Sequence, residues 1–439
     1  MRRRDFLGRA ATLAAAAPLA TGPFARFASA QPAPLRVNGA RVNGWLAQMD
    51  AIGRTPGGIN RVAYSEADLA GRAFTVDLYR QAGLTPRIDA AGNIVGRLEG
   101  SAPGLAPIVI GSHVDSVTDG GNFDGPVGSF GALEVALSLQ EQKVRLRHPL
   151  EVVVWSNEEG GVIGSKLAMG QLGAVDLDSV ARSGKTIREG IGIVGGDVAR
   201  LESEARAKGS AACYLEIHIE QGGFLDQAGL QIGVVEGIVG LRWIEVVVEG
   251  FANHAGATPM DQRQDAVLAA ARFTVAVNDA IRAEPGRQVA TVGRLVPTPN
   301  TRNVIAGRAE LSVDLRDLDD AKIQRFAERF RQIGREIGDA TDTTFTFRDV
   351  TSSKPAVSDP ALVEAVEASA KALGLSSRRM PSGAGHDAQV MALICPMAMI
   401  FVPSVGGVSH SPKEFTKPED VAAGVDVLLN AVAAADARF

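Results

Sequence analysis

Four short apolar runs, each breaking off into a loop that carries histidine or carboxylate, constrain this chain more than any other feature. They lie in residues 107–125 (PIVIGSHVDSVTDGGNFDG), 150–161 (LEVVVWSNEEGG), 213–223 (CYLEIHIEQGG) and 397–412 (MAMIFVPSVGGVSHSP). Runs this short, rich in β-branched residues and bounded by Pro or Gly, read as buried strands of an α/β sheet. Open α/β sheets take their ligands at the carboxyl ends of their strands. At or just past those ends stand His113, Asp124, Glu159, His218 and His410, a set holding three of the six histidines in the chain.

Imidazole with carboxylate is how a protein holds zinc, or manganese or cobalt, with a coordination position left open for chemistry. A lone histidine after a strand is more often a hydrogen-bonded loop residue, but four such segments together point to metal. Two divalent ions per subunit account for the set better than one. A bridging Asp124, with one imidazole and one further ligand for each ion, uses all five residues. Such a pair clamps a water, lowers its pKa and polarises a carbonyl. Glu158, beside a ligand yet not needed as one, is placed to carry a proton from that water to a leaving nitrogen. Asp115, two residues after His113, reads as the group that orients that imidazole.

These segments, together with GFANHAGATPM (250–260), PNTRNVIAG (299–307), SGAGHDAQ (382–389) and SHSPKEFT (409–416), resemble the amidase/hydantoinase-carbamoylase family of binuclear metal amidohydrolases. That family includes N-carbamoyl-L-amino acid hydrolases, β-ureidopropionases and allantoate amidohydrolases, and is related to aminoacylase-type zinc exopeptidases. The resemblance runs from about Val42 to Val432. It implies the same five metal ligands, a catalytic Glu158 and Asp115 near the first histidine. It further implies substrate contacts at Gln221, His254, Asn303 and Arg316. The glycine-rich 382–389, suited to offering backbone N–H groups at a helix start, reads as adding Gly385 and His386 to the pocket. An arginine fork suits a substrate carboxylate, and His254 suits an oxyanion on the attacked carbonyl. The loop Gly160–Gly164 and Ala257 depart from the family pattern, which puts the substrate side-chain pocket in question rather than the hydrolysis.

Along the chain, residues 1–30 read as a targeting segment. Arg2-Arg3-Arg4 and Asp5-Phe6-Leu7 precede an alanine-rich run and Ala28-Ser29-Ala30, a pattern resembling a Tat signal, so a periplasmic or secreted enzyme is expected. Residues 1–30 carry five Arg against one Asp, so their removal takes the formal net charge from −5 to −9. That acidity gives no reason to expect nucleic acid or an anionic membrane as partner. Alternating strands and helices over 31–236 and again over 351–439 read as one catalytic domain in two pieces. Between them, 237–350 reads strand, helix (266–283), strand, strand, helix (320–337), strand: an inserted ferredoxin-like (βαββαβ) unit. It holds His254, Asn303 and Arg316 but no metal ligand, as a lid would. The family resemblance adds that this unit pairs two copies into a homodimer. Cys213 and Cys395 both fall in strand-like segments and read as buried free thiols.

The expectation is a zinc-exopeptidase-like α/β enzyme that removes the carbamoyl group from a small N-carbamoyl-L-amino acid. Allantoate or ureidoglycolate hydrolysis, or a dipeptidase or deacylase activity, is the alternative within the class. A non-catalytic binding protein on the same fold is the alternative outside it, and the intact ligand set with Glu158 argues against it.

Overall fold

In the computed structural model, which describes residues 33–439, the four apolar runs form four neighbouring parallel strands inside a nine-stranded sheet. The targeting segment expected over 1–30 lies outside the described residues. In chain order the main strands begin with β1 (Ile94–Leu98), β2 (Ile108–His113), β3 (Leu150–Trp155), β4 (Cys213–Ile219) and β5 (Ile232–Ile238). The second body supplies β6 (Gly240–Glu249), β7 (Val289–Thr298), β8 (Arg308–Asp317) and β9 (Thr344–Ser353), and the chain returns to the first sheet with β10 (Met397–Val402). The parallel strands run in the order β3-β2-β4-β10, flanked by antiparallel β1 and β5. Every residue of the four is buried. Helices cover both faces, which is why these runs are mostly apolar; CYLEIHI (213–219) alternates, placing buried Glu216 and His218 on one side of β4.

Helices α1 (Pro126–Glu141) and, at the chain's end, Pro418–Arg438 pack on one face, where Phe130, Leu133, Val425 and Leu428 join Ile110, Leu215 and Ile400. Burying each such side chain contributes roughly 1.5–3 kcal/mol. Trp155, Tyr214, Met399 and Phe401 face a second core on the other side.

The second body is a four-stranded antiparallel sheet in the order β7-β8-β6-β9. Helices α2 (Ala266–Ala283) and α3 (Asp320–Thr341) pack on one face of it. The helical apolar spacing of Ile323, Phe326, Ala327, Phe330 and Ile333 puts one stripe of α3 in that core. The helix runs four residues beyond the 337 expected from sequence and ends at a left-handed Asp342. The chain leaves the large sheet after Ile238 and returns at Ala356–Val357, which pair with Ile238 and Gly237. Among the described residues, no helix is long and apolar enough to cross a membrane.

Candidate metal centre

Parallel pairing brings the carboxyl ends of the four strands to one edge. His113 closes β2 and stands level with Trp155, so Glu158 and Glu159 emerge beside it. His218 lies level with Phe401 of β10. Asp124 arrives from the loop after β2, one residue before the cap of α1, where the positive end of the helix favours a carboxylate. Left-handed residues bracket the two glutamates: Asn157 (φ 55°) and Val162 (φ 54°). A left-handed backbone at a β-branched residue costs about 1–2 kcal/mol. The turn is held by the N–H groups of Gly161 and Val162, both donating to the Glu158 carbonyl.

The carboxylate of Asp124 divides the other donors into two sets. Its Oδ1 stands 3.4 Å from His113 Nε2 and 3.3 Å from His218 Nε2. Its Oδ2 stands 3.3 Å from His410 Nε2, which in turn lies 3.5 Å from Glu159 Oε1. Each set of three converges closely enough to share one ion. A third convergence, Glu216, His218 and His386, is spoken for: Ser112 and Tyr214 hydroxyls donate to Glu216, and His386 Nε2 meets Ser382 Oγ at 2.9 Å.

The imidazoles are prepared for cations. Nδ1 of His113 meets the Asp115 carbonyl at 3.0 Å, and Nδ1 of His218 meets the Ile219 carbonyl at 3.0 Å. A carbonyl only accepts, so each Nδ1 carries the proton and each Nε2 presents a lone pair. Both Nε2 atoms are buried without a hydrogen-bond partner and face a carboxylate oxygen. A lone pair against a carboxylate is unfavourable unless a proton or a metal stands between them, so the donors fit divalent ions. Burial opposes charging His113, but Glu158, Asp124 and Asp115 outweigh it and hold its pKa well above the ordinary value. A hydrogen bond to Asp124 raises His410 to about 9. Burial, reinforced by the charges of Asp387, Glu159 and Asp115, raises Glu158 well above the carboxylate range, and burial with Asp124 raises Glu159 to about 7.

Asp115 acts differently from the sequence expectation. It orients His113 through its main-chain carbonyl, while its carboxylate stands 3.8 Å from that ring. The carboxylate instead accepts the Glu158 N–H at 3.2 Å on one oxygen and the Glu159 N–H at 3.1 Å on the other. It therefore aligns the two glutamates.

The substrate residues expected from the family resemblance fall in three places. Gln221, left-handed at φ 59°, donates its side-chain amide to Asp124 Oδ2 at 2.6 Å, inside the centre. His386 is buried with its ring centroid 4.5 Å from that of His218, while Gly385 is exposed beside it. His254 is exposed on a two-stranded ribbon of the second body, and exposed Asn303 precedes the partner strand, its carbonyl accepting the Ala255 N–H at 3.0 Å. Among the described residues neither bonds to a metal donor. His254 Nδ1 accepts the N–H groups of Gly256 and Ala257, which leaves its proton on Nε2. Arg316, at the end of β8, pairs through two nitrogens with Asp314 and donates a third N–H to the Gly383 carbonyl at 2.6 Å. It thereby ties the second body to the 382–389 loop.

Two supporting residues were not expected from the sequence. Arg61 is fully buried and donates to the carbonyls of Val114 and Ile52, pinning the end of β2 to the turn that follows helix Gly39–Asp50. Burial lowers it to about 10. No local pattern marks an arginine whose partners are main-chain carbonyls. Glu414 is buried four residues past His410, within a segment already singled out.

The model of peptidase family M20/M25/M40 matches residues 109–434. An N-carbamoyl-L-amino acid amidohydrolase of Geobacillus stearothermophilus is 38% identical over 406 residues, covering 90% of this chain and 98% of that protein. The allantoate amidohydrolase of Escherichia coli (strain K12) is 34% identical, covering 87% and 94%. A crystal structure of a hydantoinase/carbamoylase family amidase from Burkholderia multivorans superposes with a TM-score of 0.85 at 38% identity, over 91% of this chain and 98% of that one.

Proposed function

Because the chain belongs to peptidase family M20/M25/M40, we propose that it is a metal-dependent amidohydrolase cleaving the ureido C–N bond of an N-carbamoyl-L-amino acid. The observation that carries this is the single carboxylate of Asp124 shared between two donor sets, with Glu158, its side chain 10% exposed, beside them. His113, His218 and Asp124 would hold one divalent ion, and Asp124, Glu159 and His410 a second, zinc, manganese or cobalt being the candidates. When bound, such ions supply Lewis-acid polarisation and water activation. Glu158, its proton affinity raised by burial, takes a proton from the attacking water and passes it to the leaving nitrogen. His254 offers its Nε2 proton to the developing oxyanion. Arg316 receives the α-carboxylate, and Asn303 holds the same carboxylate or the ureido group. The products are the amino acid, carbon dioxide and ammonia.

His254, Asn303 and Arg316 all sit on the second body, so this reading includes its closure over the metals as a lid. The reach of Arg316 to Gly383 supports that closure. It also includes a homodimer formed through that body; exposed Val289, Leu295 and Val296 on the edge strand β7 support it. A fully active monomer would contradict the homodimer. Export of the mature enzyme by the Tat route rests on residues 1–30 alone.

The test is ammonia release by the purified protein with and without added Zn²⁺, Mn²⁺ or Co²⁺. The panel holds N-carbamoyl-L- and D-amino acids, β-ureidopropionate and allantoate, with N-acyl and dipeptide controls followed by free amino acid. Metal-dependent turnover of N-carbamoyl-L-amino acids alone supports the proposal. Turnover of allantoate alone moves the assignment to the activity named for the Escherichia coli relative.

A further inference from the structure

We infer that Glu414 is a positioning residue that sets the spacing between Asp124 and His410. One of its oxygens is given to each loop. Oε1 accepts the N–H of Phe123 at 2.8 Å and that of Asp124 at 3.0 Å. Oε2 accepts the Ser409 hydroxyl at 2.9 Å and the His410 N–H at 3.3 Å. The Ser409 hydroxyl also lies 3.1 Å from Asp124 Oδ2, so its one proton can serve either carboxylate. Two metal donors 286 positions apart are thus hung on the two arms of one rigid carboxylate, which is only 6% exposed.

The packing around Glu414 is shaped for this contact. A Cβ at Gly121 would fall 2.3 Å from Glu414 Cβ and 2.4 Å from Oε1, so only a glycine lets the loop press this close. Phe123 and Phe415 meet edge to face with centroids 5.6 Å apart, closing the same two loops from the other side. Because a bound ion tolerates donor shifts of only about 0.2 Å, a carboxylate bonded to the main chain of two donors governs affinity without touching the ion. Loss of such supporting contacts typically weakens metal binding about 10–100-fold.

This inference rests on the binuclear reading, and the experiment separates the two. Metal-stripped full-length wild type, Glu414→Ala and Glu414→Gln are titrated with Co²⁺, following its visible absorption, with circular dichroism of each metal-free protein. The wild type is expected to take up two ions. Glu414→Ala should bind Co²⁺ about 10–100-fold more weakly, with an altered absorption band from displaced donors. Glu414→Gln keeps an acceptor for one loop but turns an NH₂ toward the other, so an intermediate loss is expected. Excess Co²⁺ should restore most of kcat with KM little changed, which general unfolding would not allow. A folded variant whose isotherm and spectrum match the wild type overturns the inference; if the alanine variant does not fold, the glutamine variant decides. A wild type that takes up no Co²⁺ overturns the binuclear reading and this inference with it.

Discussion

Gly125→Ala is the most searching small change to the site. Gly125 caps α1 at φ 83°, ψ −56°, a conformation that L-residues adopt only under strain. That backbone alone should cost about 1–3 kcal/mol. The new methyl would also lie 2.4 Å from Cε1 and 2.5 Å from Nδ1 of His113. Contact at about 3.5 Å requires the ring or the start of the helix to move by roughly 1 Å. The ring has little room: it is 1% exposed, its Nδ1 is bonded to the Asp115 carbonyl and His218 flanks it. Overpacking of this kind costs about 1–3 kcal/mol, so the total comes to about 2–6 kcal/mol. If instead the ring yields, the shift is several times what a metal–nitrogen bond tolerates. Urea unfolding of the metal-free protein and metal retained after dialysis together read both outcomes. Gly104→Ala is the control: Gly104 has φ 80°, and a methyl added there would meet nothing within 4 Å, so it reports backbone strain alone. If Gly125→Ala matches Gly104→Ala in stability and keeps its metal, tight packing around His113 is refuted.

Three further outcomes are expected. Glu158→Gln should lower kcat by about 10²–10⁴-fold while metal content, read by elemental analysis, stays at the wild-type level; a variant with unchanged turnover removes Glu158 from proton transfer. Arg316→Ala should raise KM at least tenfold for a carboxylate-bearing substrate, from loss of a contact worth roughly 1.5–3 kcal/mol, and much less for the corresponding amide; equal effects on both would withdraw the carboxylate assignment. Stability of the metal-free protein should fall as pH rises between about 4.5 and 9. Glu159 is raised from 4.5 to about 7 and His410 from 6.5 to about 9, so each favours folding fully below its ordinary pKa and loses that contribution as pH passes its raised one. Added divalent metal, which needs these groups deprotonated, should stabilise increasingly over the same range, and a flat thermal-denaturation profile would refute the assignment.

The clustered histidines and carboxylates were legible because of where they stand relative to apolar runs. A strand buried on both faces must be continuously apolar, and a polar residue at its end in a parallel sheet has few places to go but the ligand edge. His113, Asp124, Glu159, His218 and His410 could be picked out on that ground without knowledge of strand order, and Glu158 by adjacency. The alternating pattern of β8 and the amphipathic stripe of α3 similarly announced the second sheet and its helices. The length of α3 was underestimated because residues 338–341 carry no apolar periodicity to extend it.

What sequence alone determined, then, is the inventory: element types and which side chains end at strand termini, since both follow from local periodicity and chain connectivity. Tertiary structure decided the pairings. That Asp124 offers one oxygen to His113 and His218 and the other to His410 depends on β2, β4 and β10 lying in register, which joins positions nearly three hundred apart. That the Asp115 carboxylate holds two glutamate N–H groups, that Arg316 reaches Gly383, and that Glu414 spans two loops depend on the same long-range packing. A hydrogen bond is directional over a few tenths of an ångström, whereas sequence periodicity resolves only which face a residue is on. The first quantity exists only once the whole sheet has closed.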